Sequence, residues 1–555
     1  MRRKQVALTV LLLLSFWSLV ACVAGAQYIR PRSGNLPGAI GSRGGDARPN
    51  IVIILADDLG YSDVSCFGGE ILTPNIDELA KDGLRLTQFY NAGRGCPSRA
   101  ALLTGLYPHQ TGIGHMLVDF RRPAYRGKLN RQCATIGQLL TEAGYLTMMA
   151  GKWHLSRFTS PEGPSHNWPV QRGFEEFYGT IAGAGSYFDP VTLCRGNQFQ
   201  RETRGDFYYT DWIARRAEEL VAKGARDDRP FFLFVSFTAP HWPLHAPAEA
   251  IARQRGKYSL GWDAARQKRF RRMQTLGIIK PGWKLSPRDP RVGDWDLNPL
   301  KPWQQRRMEV YAAQVDLLDR GVGRVTDALR QMGVERNTLV VFLSDNGASD
   351  EEANPDWSGK FIPEQTRGGR NVQVGNHPNY IPGSEDTYQS YGMAWANVSN
   401  TPWRMYKRYA HEGGIATPMI VRWPAVISDG GGRVDEVGHV IDLMPTCLDV
   451  ARFRYPKQFE GYELTPPAGR SLMPIFENQE RSPAPLFWEH EGNRAVRDGK
   501  WKLVALKGRD WELYDMEKDR TETNNLAKQF PAIVQSLSRA YNAWAERCGV
   551  LPWRR

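Results

Sequence analysis

The chain has 555 residues, with 72 Lys and Arg against 59 Asp and Glu, a formal net charge of +13 at neutral pH. That length excludes a single small module and favours one large domain plus a smaller one. With 41% hydrophobic and 24% charged residues the composition excludes a disordered chain, a collagen and a multi-span membrane protein, and seven Cys are too few for a disulfide scaffold.

Arg2, Arg3 and Lys4 precede an apolar run from Val6 to Val20. A charged start followed by a short apolar stretch reads as an export signal over residues 1–26, too short for a comfortable span. Two exits stay open. Leu19-Val20-Ala21-Cys22 resembles a bacterial lipobox, and a lipid on Cys22 would be the chain's one link to a membrane. Ala24-Gly25-Ala26 suits ordinary cleavage. Either way the mature chain is expected outside the cytoplasm: periplasmic, extracellular or lipid-anchored. There Cys66, Cys133, Cys194, Cys447 and Cys548 are candidates for disulfides, with no pairing fixed by the sequence.

From 48 to 465 the chain reads as alternating strands and helices. Asn50–Ala56 is a β-branched run expected as a strand buried on both faces. Pro74–Asp82 reads as a helix with Pro in its first turn. Within Gly93–Gly105, Pro97 is expected near a helix start and Gly105 at its end. Pro230–Phe237 reads as a second buried strand. Arg266–Arg272 is the densest basic stretch, either a solvated helix face or a rim attracting a polyanion. Nucleic acid is not expected as that polyanion, because no nucleic-acid motif accompanies it. Met308–Leu329 has apolar steps of three and four, an amphipathic helix, and Thr338–Leu343 is a third buried strand. The polar stretch 350–395 is too long for an ordinary connection and reads as a functional loop region. Residues 466–555 change texture. A hairpin is expected around Asp498-Gly499, then a strand at Trp511–Asp515 and a closing helix over Pro531–Cys548. The fold expected is α/β, a doubly wound and mostly parallel sheet flanked by helices, with a smaller C-terminal α+β domain holding an antiparallel sheet.

Polar clusters stand at the strand ends, where open parallel sheets bind ligands. Asp57-Asp58 follows the first strand and Asp345-Asn346-Gly347 the third. One Asp-Asp pair alone could cap a helix. Two clusters after matching strands offer oxygen-only ligands, suited to Ca²⁺ or Mg²⁺ rather than zinc. The helix start near Pro97 favours an anion, and Arg99 adds a planar fork of donors.

Together these motifs resemble the sulfatase family, bacterial arylsulfatases in particular, within the alkaline-phosphatase-like superfamily. The resemblance is carried by Ile54-Leu55-Ala56-Asp57-Asp58, Pro97-Ser98-Arg99-Ala100-Ala101-Leu102-Leu103-Thr104-Gly105, Gly151-Lys152-Trp153-His154, Pro240-His241, Ser344-Asp345-Asn346-Gly347, and Lys407 ahead of His411-Glu412-Gly413-Gly414. Gly256-Lys257-Tyr258, Leu513-Tyr514-Asp515 and Asn525-Leu526-Ala527 add to it. The resemblance implies a hydrolase of aryl or carbohydrate sulfate esters. It places one Ca²⁺ on Asp57, Asp58, Asp345 and Asn346, and sulfate on Arg99, Lys152 and Lys407. It puts His154 beside the nucleophile and His241 near the leaving oxygen. The expected partner is a sulfated small molecule or glycan, and His490 is either a rim residue or structural.

One position departs from the family. The nucleophile there is formylglycine, made from Cys two residues before the Pro, and here that residue is Gly95. Gly cannot become an aldehyde, and Cys96 is offset by one residue. A formylglycine-generating enzyme is a partner only if position 95 is Cys. The expected outcomes are a binder of sulfated glycans, a different nucleophile such as a metal-bound water, or a one-base variant of a working enzyme.

Overall fold

The computed structural model describes residues 48–553 except 203 and 360, so the export signal and Cys22 lie outside the described residues. The large sheet has ten strands: β1 (Asn50–Ala56), β2 (Leu84–Tyr90), β3 (Leu146–Gly151), β4 (Glu176–Thr180), β5 (Leu193–Arg195), β6 (Gln198–Phe199), β7 (Phe231–Ser236), β8 (Thr338–Ser344), β9 (Ala416–Arg422) and β10 (Gly432–His439). Their spatial order is β10-β2-β9-β8-β1-β7-β3-β4-β5-β6. β8, β1, β7, β3 and β4 run parallel, with Ile53 opposite both Phe234 and Val341. These central strands are buried on both faces, which is why they read as unbroken apolar runs rather than alternating ones.

β9 runs antiparallel to both β8 and β2, so β2 points the same way as the central set. One consequence governs the site. The carboxyl ends of β1, β2, β3, β7 and β8, and the amino end of β9, all meet at one sheet edge. Register makes this sharp: Ala56 lies beside Ser344, and Gly151 beside Ser236.

The helices predicted at Pro74, Pro97 and Met308 form, with differences at their ends, and others such as Tyr209–Gly224 and Leu443–Val450 were not read from the sequence. The long helix is Lys301–Gln331, starting seven residues before Met308. Its first turns are polar, so periodicity misses them. Arg307 is nevertheless buried there, donating to Glu352 at 2.8 Å and to the Ser390 carbonyl. The short helix is Gly95–Thr104, two residues earlier than Pro97 suggests, and Gly105 ends it at φ +69°. The region 350–395 is mostly loop, with the short pair Gln373–Val374 and Thr387–Tyr388 and the start of helix Gly392–Ser399.

Two expectations are corrected. Arg266–Arg272 lies in helix Gly261–Thr275, yet Arg266 and Arg269 are buried. Arg269 is forked between Glu70 and Asp63 at 2.7 Å each, and Arg266 donates to the Ser286 carbonyl, so neither serves a solvated face or a rim, whereas Lys268, Arg271 and Arg272 are exposed as a solvated face requires. Among the described residues, Cys66, Cys96, Cys133, Cys194, Cys447 and Cys548 are all free, so the anticipated disulfides are not formed.

The C-terminal sheet is four antiparallel strands, β11 (Leu486–His490), β12 (Asn493–Asp498), β13 (Trp501–Ala505) and β14 (Glu512–Asp515). Asp498 still pairs with Trp501, so the β12–β13 turn is Gly499-Lys500, one residue later than Asp498-Gly499. Helix Pro531–Cys548 buries Leu537, Tyr541, Trp544 and Cys548 at helical spacing. A buried ion cluster joins this sheet to the large one. Glu412 accepts from Lys502 at 2.8 Å and from Arg520 at 2.6 Å, and Glu522 takes a second bond from Lys502.

Candidate active site

Each predicted site residue leaves a strand end at the shared edge. Asp57 and Asp58 follow β1, Lys152 and His154 follow β3, His241 follows β7, and Asp345 and Asn346 follow β8. Lys407 comes down the loop entering β9, and Gly95 and Arg99 belong to the helix after β2. Asp57, Asp58, Arg99, Lys152, His241, Asp345, Asn346 and Lys407 are all 5% exposed or less, so they meet in a nearly dry setting.

Ion pairs knit the set together. Arg99 Nε lies 2.9 Å from Asp345 Oδ2, and its Nη2 lies 3.4 Å from Asp57. Lys152 Nζ pairs with Asp57 Oδ2. Lys407 Nζ lies 2.9 Å from Asp58 Oδ2 and 3.1 Å from Glu351 Oε2. His241 Nε2 is 3.4 Å from Lys407 Nζ and 3.5 Å from Asp58 Oδ2. Burial, the largest influence, opposes the Asp58 carboxylate, but the charge and hydrogen bond of Lys407 together with His241 outweigh it and hold its pKa below the usual value. In return, Asp58 and Glu351 overcome the burial of Lys407 and keep it charged.

The two histidines are neutral for the same reason. Burial pushes His241 down to about 3, with Asp58 opposing that fall and Lys407 adding to it. Its Nδ1 sits 2.6 Å from the Trp242 carbonyl, which assigns the proton to Nδ1 and leaves Nε2 a lone pair toward Lys407. His154 is held well below its ordinary value by burial and by Lys152 and Arg99. It sits at φ +58°, and Gly183 packs so closely that a Cβ there would lie 2.0 Å from His154 Nε2.

The acidic residues fit a hard cation. Asp345 is pushed up to about 6, first by burial and next by the neighbouring Asp57. Asn346 donates to Asp58 at 2.6 Å, which turns its Oδ1 inward with no protein partner. Crowded carboxylates and an orphaned amide oxygen are what a divalent ion with oxygen ligands would relieve. His241 lies within ligand reach of Asp57 and Asp58, and its Nε2 also approaches Lys407 Nζ.

Gly95 does not fit the covalent group. Its φ is not in the left-handed region, so no backbone need for Gly exists there. A Cβ built on it would stand 3.0 Å from Asp345 Oδ2 and 3.8 Å from Asn346 Oδ1, aimed at the acidic cluster. A side chain at 95 would therefore point at Asp345 and Asn346, and Gly supplies none. Cys96 is wholly buried and burial pushes its thiol up to about 12, which disfavours the thiolate that a nucleophile needs.

Glu351, Arg94 and Trp242 belong to the site although their motifs did not single them out. Glu351 accepts from Lys407, from Arg94 at 3.0 Å and from Trp242 Nε1 at 2.9 Å. Arg94 and Trp242 stand next to Gly95 and His241 in sequence, which was the available signal for them, whereas Glu351, five residues beyond Asn346, had none. Beside them Trp242, Trp357 and Tyr388 line an open cavity of about 470 Å³ with Glu351 at its wall.

Comparison with known proteins agrees with this geometry. The sulfatase family pattern matches residues 49–453, and the N-sulphoglucosamine sulphohydrolase C-terminal pattern matches 402–545. The chain is 34% identical to an arylsulfatase of Klebsiella aerogenes over 459 residues, covering 78% of this chain and 93% of the relative. It is 35% identical to an uncharacterized sulfatase of Schizosaccharomyces pombe, covering 91% and 94%. A solved structure described as Ps i-CgsB in complex with k-i-k-neocarrahexaose superposes with a TM-score of 0.64 at 26% identity, over 90% of this chain and 93% of that one.

Proposed function

The chain belongs to the sulfatase family of sulfuric ester hydrolases, and from that premise we propose that its site is built to bind one Ca²⁺ and a sulfate ester, with covalent turnover blocked at Gly95. The observation that carries this is the combination of an intact charged site with a glycine whose absent Cβ points into it.

Asp57, Asp58, Asp345 and Asn346 would hold the ion, which when bound offsets negative charge on the transferring group. Arg99 and Lys152 present their donors to sulfate oxygens from the same side. They are now spent on Asp57 and Asp345, so an ion on those carboxylates would leave them free for the ester. Lys407 carries the proton and His241 does not, so the leaving oxygen would draw its proton from Lys407 Nζ, directly or through His241 Nε2. Neutral His154 is the base on the nucleophile side. The Trp242, Trp357 and Tyr388 wall suits the flat face of an aryl or sugar leaving group. The relatives include an N-acetylglucosamine-6-O-sulfatase of Bacteroides thetaiotaomicron at 26% identity, which supports a carbohydrate sulfate as much as an aryl one. The charged, apolar start of the chain supports export to a calcium-rich compartment.

Calorimetry of the chain with Ca²⁺ and 4-nitrophenyl sulfate tests the binding half. Binding without turnover is expected, weakened about tenfold or more in Lys407→Ala. Equal binding by Lys407→Ala would contradict the assignment.

A further inference from the structure

The hairpin between β11 and β12 is closed by Glu491 and Gly492, both at positive φ, so His490 and Glu491 are presented at its tip. They meet His115, from the loop that follows helix Pro108–Thr111. We propose that His115, His490 and Glu491 form a second metal site, separate from the acidic cluster, that takes a transition-metal divalent cation such as Zn²⁺.

The distances suit one ion. His115 Nε2 lies 2.9 Å from Glu491 Oε1, His490 Nε2 lies 3.7 Å from it, and one ligand atom from each residue falls within 4.8 Å of the others. Ligands about 2.1 Å from a tetrahedral zinc stand roughly 3.4 Å apart, which these separations bracket. The two imidazole rings are near parallel with centroids 5.3 Å apart, and the Nε2 of each approaches Glu491 Oε1.

His490 is the independent observation. It is 3% exposed, and neither ring nitrogen has a protein partner. A buried imidazole with two unmet polar atoms is costly unless something else satisfies one of them. Neighbouring groups are committed elsewhere: Glu489 serves His109 at 2.8 Å and the Gly492 amide at 2.7 Å. Burial, aided by Arg94, keeps His490 neutral, the form that ligates. Glu491 and His115 are partly exposed, at 35% and 15%, which leaves an entry path and open coordination positions. Two imidazoles and one carboxylate favour zinc, cobalt or nickel over calcium, whereas the strand-end cluster has the opposite preference. An ion here would clamp the C-terminal hairpin to the catalytic sheet's loops, and Arg94, which pairs with Glu351, also acts electrostatically on Glu491.

The test uses the full chain, stripped with EDTA, saturated with Ca²⁺, then titrated with Co²⁺. The expected result is one equivalent of Co²⁺ with a tetrahedral visible spectrum, displaced by Zn²⁺. Affinity should fall at least tenfold in Glu491→Gln, a turn residue whose change leaves the core intact, and in His490→Gln. Asp345→Asn should lose calcium and keep the cobalt spectrum, which separates this site from the acidic one. Absence of stoichiometric Co²⁺, full retention in Glu491→Gln, or loss of the spectrum in Asp345→Asn would each overturn the proposal.

Discussion

Replacing Asp345 by Asn should stabilise the metal-free protein at neutral pH while removing the calcium binding proposed for its acidic cluster. Asp345 is wholly buried and its pKa is pushed up to about 6, against 3.8 ordinarily, by burial and by Asp57, net of the attraction to Arg99. A carboxyl raised in the folded state binds its proton more tightly there than when unfolded. Its contribution to stability is therefore present below about pH 4 and lost as pH rises through 6. Two pH units correspond to about 3 kcal/mol. For a chain of this size, with an unfolding entropy near 2 cal/mol/K per residue, that is a shift of about 3 °C in Tm. The assay is thermal unfolding in EDTA at pH 4.5 and 7.5, for the parent and Asp345→Asn, repeated with Ca²⁺. The variant should be the more stable apo protein at pH 7.5, lose that advantage at pH 4.5, and gain nothing from Ca²⁺. An apo variant less stable than the parent at pH 7.5, or one stabilised by Ca²⁺ as the parent is, would refute the reasoning.

Gly183→Ala should displace His154, because the new methyl would lie 2.0 Å from its Nε2. In a Gly95→Cys background carrying the modification, turnover should drop by about a hundredfold with little change in Tm, since misplacing a reacting group costs rate. Glu412→Ala should destabilise the fold by about 3–5 kcal/mol, because Lys502 and Arg520 would be left buried without their shared partner. Urea unfolding measures it, and Glu412→Gln should be milder.

The three central strands, at Asn50–Ala56, Phe231–Ser236 and Thr338–Ser344, were legible because they are buried on both faces and read as unbroken apolar runs, whereas the other seven strands of the sheet were not read from the sequence. The acidic cluster was legible for a related reason, since Asp57, Asp58, Asp345 and Asn346 stand immediately after two of those strands, whereas Lys152, His154, His241 and Lys407 were legible through the family motifs. Illegible were groups defined by contact across the chain. Glu351 belongs to the site through Lys407 and Arg94, which lie 56 and 257 positions away in sequence. The solvated reading of Arg266–Arg272 failed at Arg269, whose burial depends on Glu70 and Asp63 from another segment. Helix starts were misplaced where the first turn is polar, as at Lys301, or where Pro sits at the third position, as at Pro97.

The most direct measurement is turnover of 4-nitrophenyl sulfate by the chain as written and by Gly95→Cys, each produced with a formylglycine-generating enzyme. The intact cations, neutral histidines and acidic cluster predict that Gly95→Cys gains activity by orders of magnitude, that the aldehyde appears in the mass of its peptide, and that Cys96→Ala changes neither protein. Full activity of the written chain, with no gain from Gly95→Cys, would contradict the account and return the nucleophile to another group.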